Sequence, residues 1–250
     1  MKNRIVVFIL LFMIVAGALF AAELDGEKIL RAIDEQRNFT DRDFSSVMSM
    51  IREDPEEGVE KKVVQQFRRD EEDKFVFLFL EPTVQKGQGY LRIDDNLWFY
   101  DPESRKFSHT SMKEQFGGTD ARNSDFGASN MIEDYCILSI EEGTLGKYSV
   151  YILDLEARHN EVTYPKRKIW VTRDRNLVLK SKDYSETGRL LRTSLFPSYA
   201  KAGDHYIASK MIFVDELVEG KKTSITLSEI SLEPLPDSVF TKSYIERVNR

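Results

Sequence analysis

One cysteine, Cys136, is all the chain carries, so no intrachain disulfide forms and neither a CxxC pair nor a Cys/His zinc cluster is possible. The three histidines, His109, His159 and His205, fall in separate segments without HExxH spacing, so no metal site is expected. GxSxG, GxGxxG and P-loop patterns are missing, and Ser124-Asp125 has no histidine near it in sequence. A triad assembled only by folding is the one route left to hydrolysis. Basic residues are outnumbered, 36 Lys+Arg against 42 Asp+Glu for a net charge of −6. That balance argues against nucleic acid and anionic lipid surfaces as main partners. Seven prolines and thirteen glycines are too few for a long disordered region, and no like-charge run is long enough to be a tail. Past the N-terminus no window approaches the roughly 18 apolar residues of a membrane-spanning helix.

What is present begins with a targeting segment. Lys2 and Arg4 precede an unbroken apolar run over 5–15, and small residues follow at Ala16, Gly17, Ala18, Ala21 and Ala22 before acidic Glu23. This is the layout of a secretory signal peptide, whose apolar core falls short of the roughly 20 residues needed to span a bilayer. Residues 1–22 are expected to be removed, leaving 23–250 as one domain outside the cytoplasm. Ala16-Gly17-Ala18 fits the small-x-small cleavage pattern, whereas a cut after Ala21 or Ala22 places Leu19 or Phe20 three positions before it. No cysteine lies close enough for lipid anchoring.

The body has 41% hydrophobic and 31% charged residues, an ordinary globular composition. Ile29, Leu30 and Ile33 lie on one helical face with Glu27, Lys28, Arg31 and Glu35 opposite, so residues 27–36 read as an amphipathic helix. The period then changes to two. Residues 46–51, 62–69, 74–80, 89–93, 97–100 and 105–110 alternate like short strands, separated by Asp54-Pro55, Glu81-Pro82, Asp94-Asp95-Asn96 and Asp101-Pro102. In 74–80 both faces are apolar and both need cover. Residues 111–142 lack period two and read as a long excursion crossing the sheet, with short helical pieces at 112–116 and 130–138. Strands resume at 148–155, 167–172, 177–183, 189–196, 205–214 and 223–232, and 241–250 reads as a terminal helix. The expectation is a mainly β, α+β fold: one curved antiparallel sheet of about eleven strands forming an incomplete barrel with a helical lid.

Sixteen Phe, ten Tyr, two Trp and seven Met are an apolar excess that fits either an ordinary core or a sheet wrapped around a lipid cavity. Flexible thioethers suit irregular ligands, so Met48, Met50, Met131 and Met211 are cavity candidates. With them stand Phe67, Phe75, Phe77, Phe79, Leu91, Trp98, Tyr100, Trp170 and Phe213. Asp94-Asp95-Asn96 and Asp174-Arg175-Asn176 lack the glycine and terminal glutamate of a calcium loop and read as turns.

From Gly89 to Pro102, the strand Gly-Tyr-Leu-Arg-Ile, the turn Asp-Asp-Asn and then Leu-Trp-Phe-Tyr-Asp-Pro resemble the LolA-like periplasmic lipoprotein carriers, the outer-membrane lipoprotein-sorting proteins. Arg105, Ser124-Asp125-Phe126 and Pro236-Asp237-Ser238-Val239-Phe240-Thr241 extend the likeness to a bacterial branch of that family. The resemblance implies an incomplete barrel lidded by helices, with a hydrophobic cavity for lipoprotein or lipid acyl chains, and neither catalysis nor a cofactor. It implies a periplasmic shuttle, expected as a monomer, that meets an inner-membrane exporter and an outer-membrane acceptor. It also implies an arginine, on a strand before the tryptophan hairpin, that helps hold the lid closed. Arg68 or Arg69 occupies that place. A sensor or interaction module on the same fold and a secreted enzyme are the rival readings.

Overall fold

Phe75, Phe77 and Phe79 point to one side of a strand, Val76 and Leu78 to the other, and all five are buried. That strand, β3 (Lys74–Glu81), lies inside a thirteen-stranded antiparallel sheet. The computed structural model describes residues 25–248, so the expected signal peptide lies outside the described residues. The first meander comprises β1 (Phe44–Asp54), β2 (Gly58–Arg69), β3, β4 (Gly89–Ile93), β5 (Asn96–Asp101) and β6 (Lys106–Thr110). The second comprises β7 (Tyr135–Leu145), β8 (Tyr148–Ala157), β9 (Lys166–Thr172), β10 (Val178–Tyr184), β11 (Leu190–Ala202), β12 (His205–Asp215) and β13 (Lys222–Ser231).

The strand order is β6-β5-β4-β3-β2-β1-β13-β12-β11-β10-β9-β8-β7. The first meander runs from the middle of the sheet out to one edge and the second from the other edge back to the middle, where the pairing of β1 with β13 joins them. The sheet curves without closing, since β6 and β7 do not pair. Strand length follows local turn chemistry. Between β1 and β2, for example, Asp54 accepts the amides of Glu56 and Glu57, and Gly58 takes a positive φ of 86° that a side chain would strain.

Helix α1 (Gly26–Arg37) begins where the Asp25 carboxylate accepts the Lys28 amide at 3.0 Å. Its buried face, Ile29, Leu30 and Ile33, packs on Leu153, Leu155, Ile169 and Val171. We call this side of the sheet the inner face. The connection from β6 to β7 crosses the same face, where Phe116, Ala121 and Phe126 are buried among Phe75, Phe77, Phe79 and Tyr90. The outer face of the first meander is covered at the C-terminus by a 3-10 turn (Asp237–Phe240) and α3 (Lys242–Val248), which bury Val239, Phe240 and Ile245 on Val76, Leu78 and Leu91.

Two expectations for the crossing segment are corrected. Residues 112–116 are turns, not helix, and of 130–138 only α2 (Met131–Asp134) is helical. From Tyr135 the chain is strand β7, which raises the strand count above the expected eleven. β7 is an edge strand paired on one side only. Its burial is irregular and Leu138 is exposed, so the period-two signal that marks half-buried strands is weak there.

Candidate functional site

Between α1 and the inner face of β9–β13 lies a cavity of about 120 Å³. Its roof is Ile33, Gln36 and Arg37 of α1 with Phe126 and Met131 of the crossing segment; its floor includes Ile169, Ser181, Ser194, Met211, Phe213 and Leu227. The roof is fastened at the end of α1. The Asp34 carboxylate accepts the amides of Met131 and Ile132 at 2.8 and 3.0 Å, which also caps α2. Asn38 and Ser129 exchange two hydrogen bonds, at 2.7 and 2.6 Å. Gln36 accepts the Tyr206 amide at 3.1 Å.

The expected cavity residues divide by strand parity. Met131, Met211 and Phe213 line the cavity. Met48, Met50, Phe75, Phe77 and Phe79 share the inner face, but Phe116 and Phe126 cover the end of the sheet where the phenylalanines lie. Phe67, Leu91, Trp98 and Tyr100 face the other way, into the cluster under the C-terminal turn and helix. Trp170 is also on the outer face: it pairs across with Lys180, whose ammonium lies 5.0 Å from its ring, while its neighbours Ile169 and Val171 point inward. These five are corrected as cavity residues, because adjacent strand residues alternate faces and their inward neighbours are Arg68, Tyr90, Leu97, Phe99 and Ile169.

The same parity separates the two candidate latch arginines. Arg69 faces outward, binding Asp43 at 2.8 Å, Asp237 at 2.5 Å and the Leu235 carbonyl at 2.6 Å, and so ties down the C-terminal segment. Arg68 faces inward. It binds both oxygens of Asp70 at 3.0 and 2.6 Å and reaches the Arg37 carbonyl at 3.4 Å. Asp70 in turn accepts the Phe39 amide at 2.9 Å, so this pair grips the chain just past α1.

Sequence reading missed a buried ionic ladder on the floor. Arg167 on β9, Asp183 on β10 and Arg192 on β11 stand directly opposite one another across adjacent strands. Asp183 is fully buried; its carboxylate accepts from Arg167 Nε at 2.7 Å and Arg192 Nε at 2.9 Å. Arg192 also binds both oxygens of Asp125 in the crossing segment, at 2.6 and 2.9 Å. Burial opposes the Arg192 cation, yet Asp125 and Asp183 outweigh it and hold its pKa well above the ordinary value. Burial likewise works to raise the Asp125 carboxyl, but Arg192 prevails and keeps it low. Arg37 differs. Burial pulls its pKa down, the charges of Arg167 and Arg68 add to that, and its hydrogen bond is a 3.4 Å contact to the Asp125 carbonyl. Its side chain is half-buried and lines the cavity. The available sequence signal was the inward pairing of Ser181 and Asp183 with Ser194 and Arg192, polar residues where a core strand should be apolar.

Among the described residues no group of three His, Cys, Asp or Glu side chains is placed to hold a metal. Cys136 is partly buried and its thiol lies 3.2 Å from the Glu156 carbonyl.

An open, curved antiparallel sheet roofed on its inner face by an N-terminal helix and a crossing segment is the architecture of the LolA-like lipoprotein-sorting proteins. A LolA superfamily protein from Nitrosomonas europaea matches with a TM-score of 0.75 at 25% identity, over 87% of this chain and 98% of that one. A domain named for outer-membrane lipoprotein sorting, from Vibrio parahaemolyticus, matches with a TM-score of 0.78 at 22% identity, over 89% and 100%. A DUF1329 family protein from Desulfovibrio piger gives 0.78 at 22%, over 88% and 97%. The last two likenesses bear on the fold alone. A family model described as "uncharacterized protein" matches residues 71–247, and the chain belongs to that family. No curated protein matches it by sequence.

Proposed function

We propose that the protein is a periplasmic carrier that takes acyl chains of lipoproteins or lipids into the cavity beneath α1 and moves them toward the outer membrane. The observation that carries this reading is the cavity itself: a space with an apolar side of Met131, Met211, Phe213, Ile169 and Leu227, under a roof held by the apolar face of α1 and by hydrogen bonds at its C-terminal end. Binding needs no catalytic group, and the ionic ladder is spent on its own pairs. An exposed acyl chain costs about 0.8 kcal/mol per CH₂ relative to burial, so a shuttle must offer apolar surface and still release its cargo. About 120 Å³ is near the size of an engineered cavity of about 150 Å³ that takes a benzene ring. A full chain therefore enters only as the roof lifts, with the Asn38–Ser129 exchange and the Asp34 contacts to α2 as the bonds that part. Arg68, gripping the chain past α1 through Asp70, is the lid latch in this reading. The donor is an inner-membrane exporter and the acceptor an outer-membrane receptor.

The test is to export the full precursor, purify the mature chain without detergent, and identify what co-purifies by native mass spectrometry and solvent extraction. Phospholipid or acylated protein near one per chain is the expected result. A folded, empty protein that also refuses added lipopeptide overturns the carrier.

A further inference from the structure

Four guanidiniums line the cavity, those of Arg37, Arg68, Arg167 and Arg192, and three carboxylates answer them. Arg68 has Asp70, Arg167 and Arg192 share Asp183, and Arg192 also holds Asp125. Arg37 is the surplus cation: no carboxylate among the described residues lies within ion-pair distance of it, and its 3.4 Å contact is to a backbone carbonyl. Asp34, one turn earlier on the same helix, is occupied by the two amides of α2. Asp134 of α2 faces His159 at 3.3 Å.

A buried group without a partner lies on the floor. Ser194 is 1% exposed, lines the same cavity, and its Oγ has no hydrogen-bond partner. A buried hydroxyl is ordinarily paired, because leaving it unpaired forfeits its hydration without replacement, and a half-buried guanidinium among other arginines gains from a counter-charge. Here a cation in the roof and a hydroxyl donor in the floor face one space that also carries Met131, Met211 and Phe213. A neutral acyl chain seated there leaves both donors unanswered. An oxyanion answers both, as a charge-assisted acceptor for Arg37 and an ordinary one for Ser194.

We infer that the cavity receives the head group of an anionic single-chain amphiphile, a carboxylate or a phosphate monoester, with Arg37 pairing the oxyanion and the chain lying along the methionine and phenylalanine side. This inference rests on the lipid-binding reading above and specifies its ligand. Arg37 is the specificity residue, and the paired arginines keep their own carboxylates when the ligand enters.

The test uses delipidated mature protein, wild type and Arg37→Gln, at pH 8. Palmitate, hexadecyl phosphate, hexadecanol and inorganic phosphate each compete, below micelle-forming concentrations, against a neutral fluorescent lipid probe. Wild type is expected to bind palmitate or hexadecyl phosphate at least about tenfold more tightly than hexadecanol, the scale of one charge-assisted hydrogen bond. In Arg37→Gln that preference should fall to within about threefold with hexadecanol binding retained. The stronger of the two anions identifies the head group, and inorganic phosphate alone should not displace the probe. Equal binding of all three amphiphiles by wild type, or an undiminished anion preference in the variant, overturns the inference while leaving the carrier standing. Failure of all three amphiphiles to bind overturns the carrier reading itself. Because Arg37 has no ion pair to lose, the variant should melt no lower than wild type, which separates lost recognition from lost folding.

Discussion

Substituting Asp183 by alanine tests whether the ionic ladder beneath the cavity is dry. Asp183 is fully buried and is the carboxylate bound to Arg167, with Nε at 2.7 Å; it also binds Arg192 at 2.9 Å. Without it Arg192 keeps the two oxygens of Asp125. Arg167 keeps only a 3.7 Å contact to the Met131 sulfur and the faces of Tyr135 and Tyr164 at 5.5 and 5.7 Å. One guanidinium is then left in the interior without a counter-charge. Breaking a buried pair this way costs about 3–5 kcal/mol, most of it the price of the stranded charge. For a domain of this size about 2–4 °C of Tm accompanies each kcal/mol, so the melting temperature should drop on the order of 6–20 °C. Urea unfolding followed by far-UV circular dichroism measures the loss in free energy, and a thermal scan the drop in Tm. Replacing both partners, Asp183→Leu with Arg167→Met, should recover at least half of the loss, because an apolar pair of similar volume is close to neutral. A loss below about 1 kcal/mol for Asp183→Ala, or a double variant no better than the single, refutes a dry ladder and means that water reaches the floor of the cavity.

Further predictions concern the crossing segment and the two sheet faces. The Asp125 carboxyl is held below its usual pKa by Arg192 against the opposing pull of burial, so its contribution is complete above about pH 4, the unfolded carboxyl's pKa, and is lost as pH falls through the lower folded value. Urea midpoints measured from pH 7 down to pH 3 should therefore decline less steeply at the acid end in Asp125→Asn than in wild type; parallel curves would show that the Arg192 pair does not fasten the segment. Ala208→Phe adds a ring to a cavity of about 120 Å³ and should abolish lipid uptake in a folded protein. Trp98→Glu, on the outer face beside Lys242 and His109, should leave uptake intact. Reversed results in the probe-displacement assay would put the ligand on the other side of the sheet.

The strands of the first meander and most of the second are readable from the sequence because their turns carry Asp, Asn, Pro and Gly at the right offsets and their residues alternate. What alternation alone leaves undetermined is which of two apolar faces is inner. In β3 both sets are buried, Phe75, Phe77 and Phe79 by the crossing segment, Val76 and Leu78 by the C-terminal turn and helix. The covering segments are more than thirty residues away in sequence, so no local pattern identifies the face. That is why Trp98 and Tyr100 were cavity candidates while Phe39 and Phe196, which line it, were not. The charged floor escaped notice for a related reason. Arg167, Asp183 and Arg192 look like solvent-facing strand residues until pairing places them at one level across three strands, and cross-strand register depends on the whole sheet.

That floor also explains why the cavity is where it is. At the first-meander end of the inner face, Phe116 packs within 4.8–5.6 Å of the rings of Phe77, Phe79, Tyr90 and Phe126, and the Gly117 amide donates to the Tyr90 hydroxyl at 3.1 Å. Aromatic packing of this kind fills space and leaves no void. On β9–β11 the inward residues include Arg167, Ser181, Asp183, Arg192 and Ser194, and the charged heads among them are fixed by one another. α1 cannot settle onto them as it settles onto Leu153 and Ile169, because close apolar packing over those heads would leave Arg37 and Ser194 with still fewer partners. The crossing segment therefore plugs one half of the inner face, and the ionic ladder holds the other half open. On the proposed carrier reading, the capacity for a long chain would be set by how far the Phe116 and Phe126 plug yields and the choice of head group at Arg37, which would place affinity and selectivity in different segments over the same face.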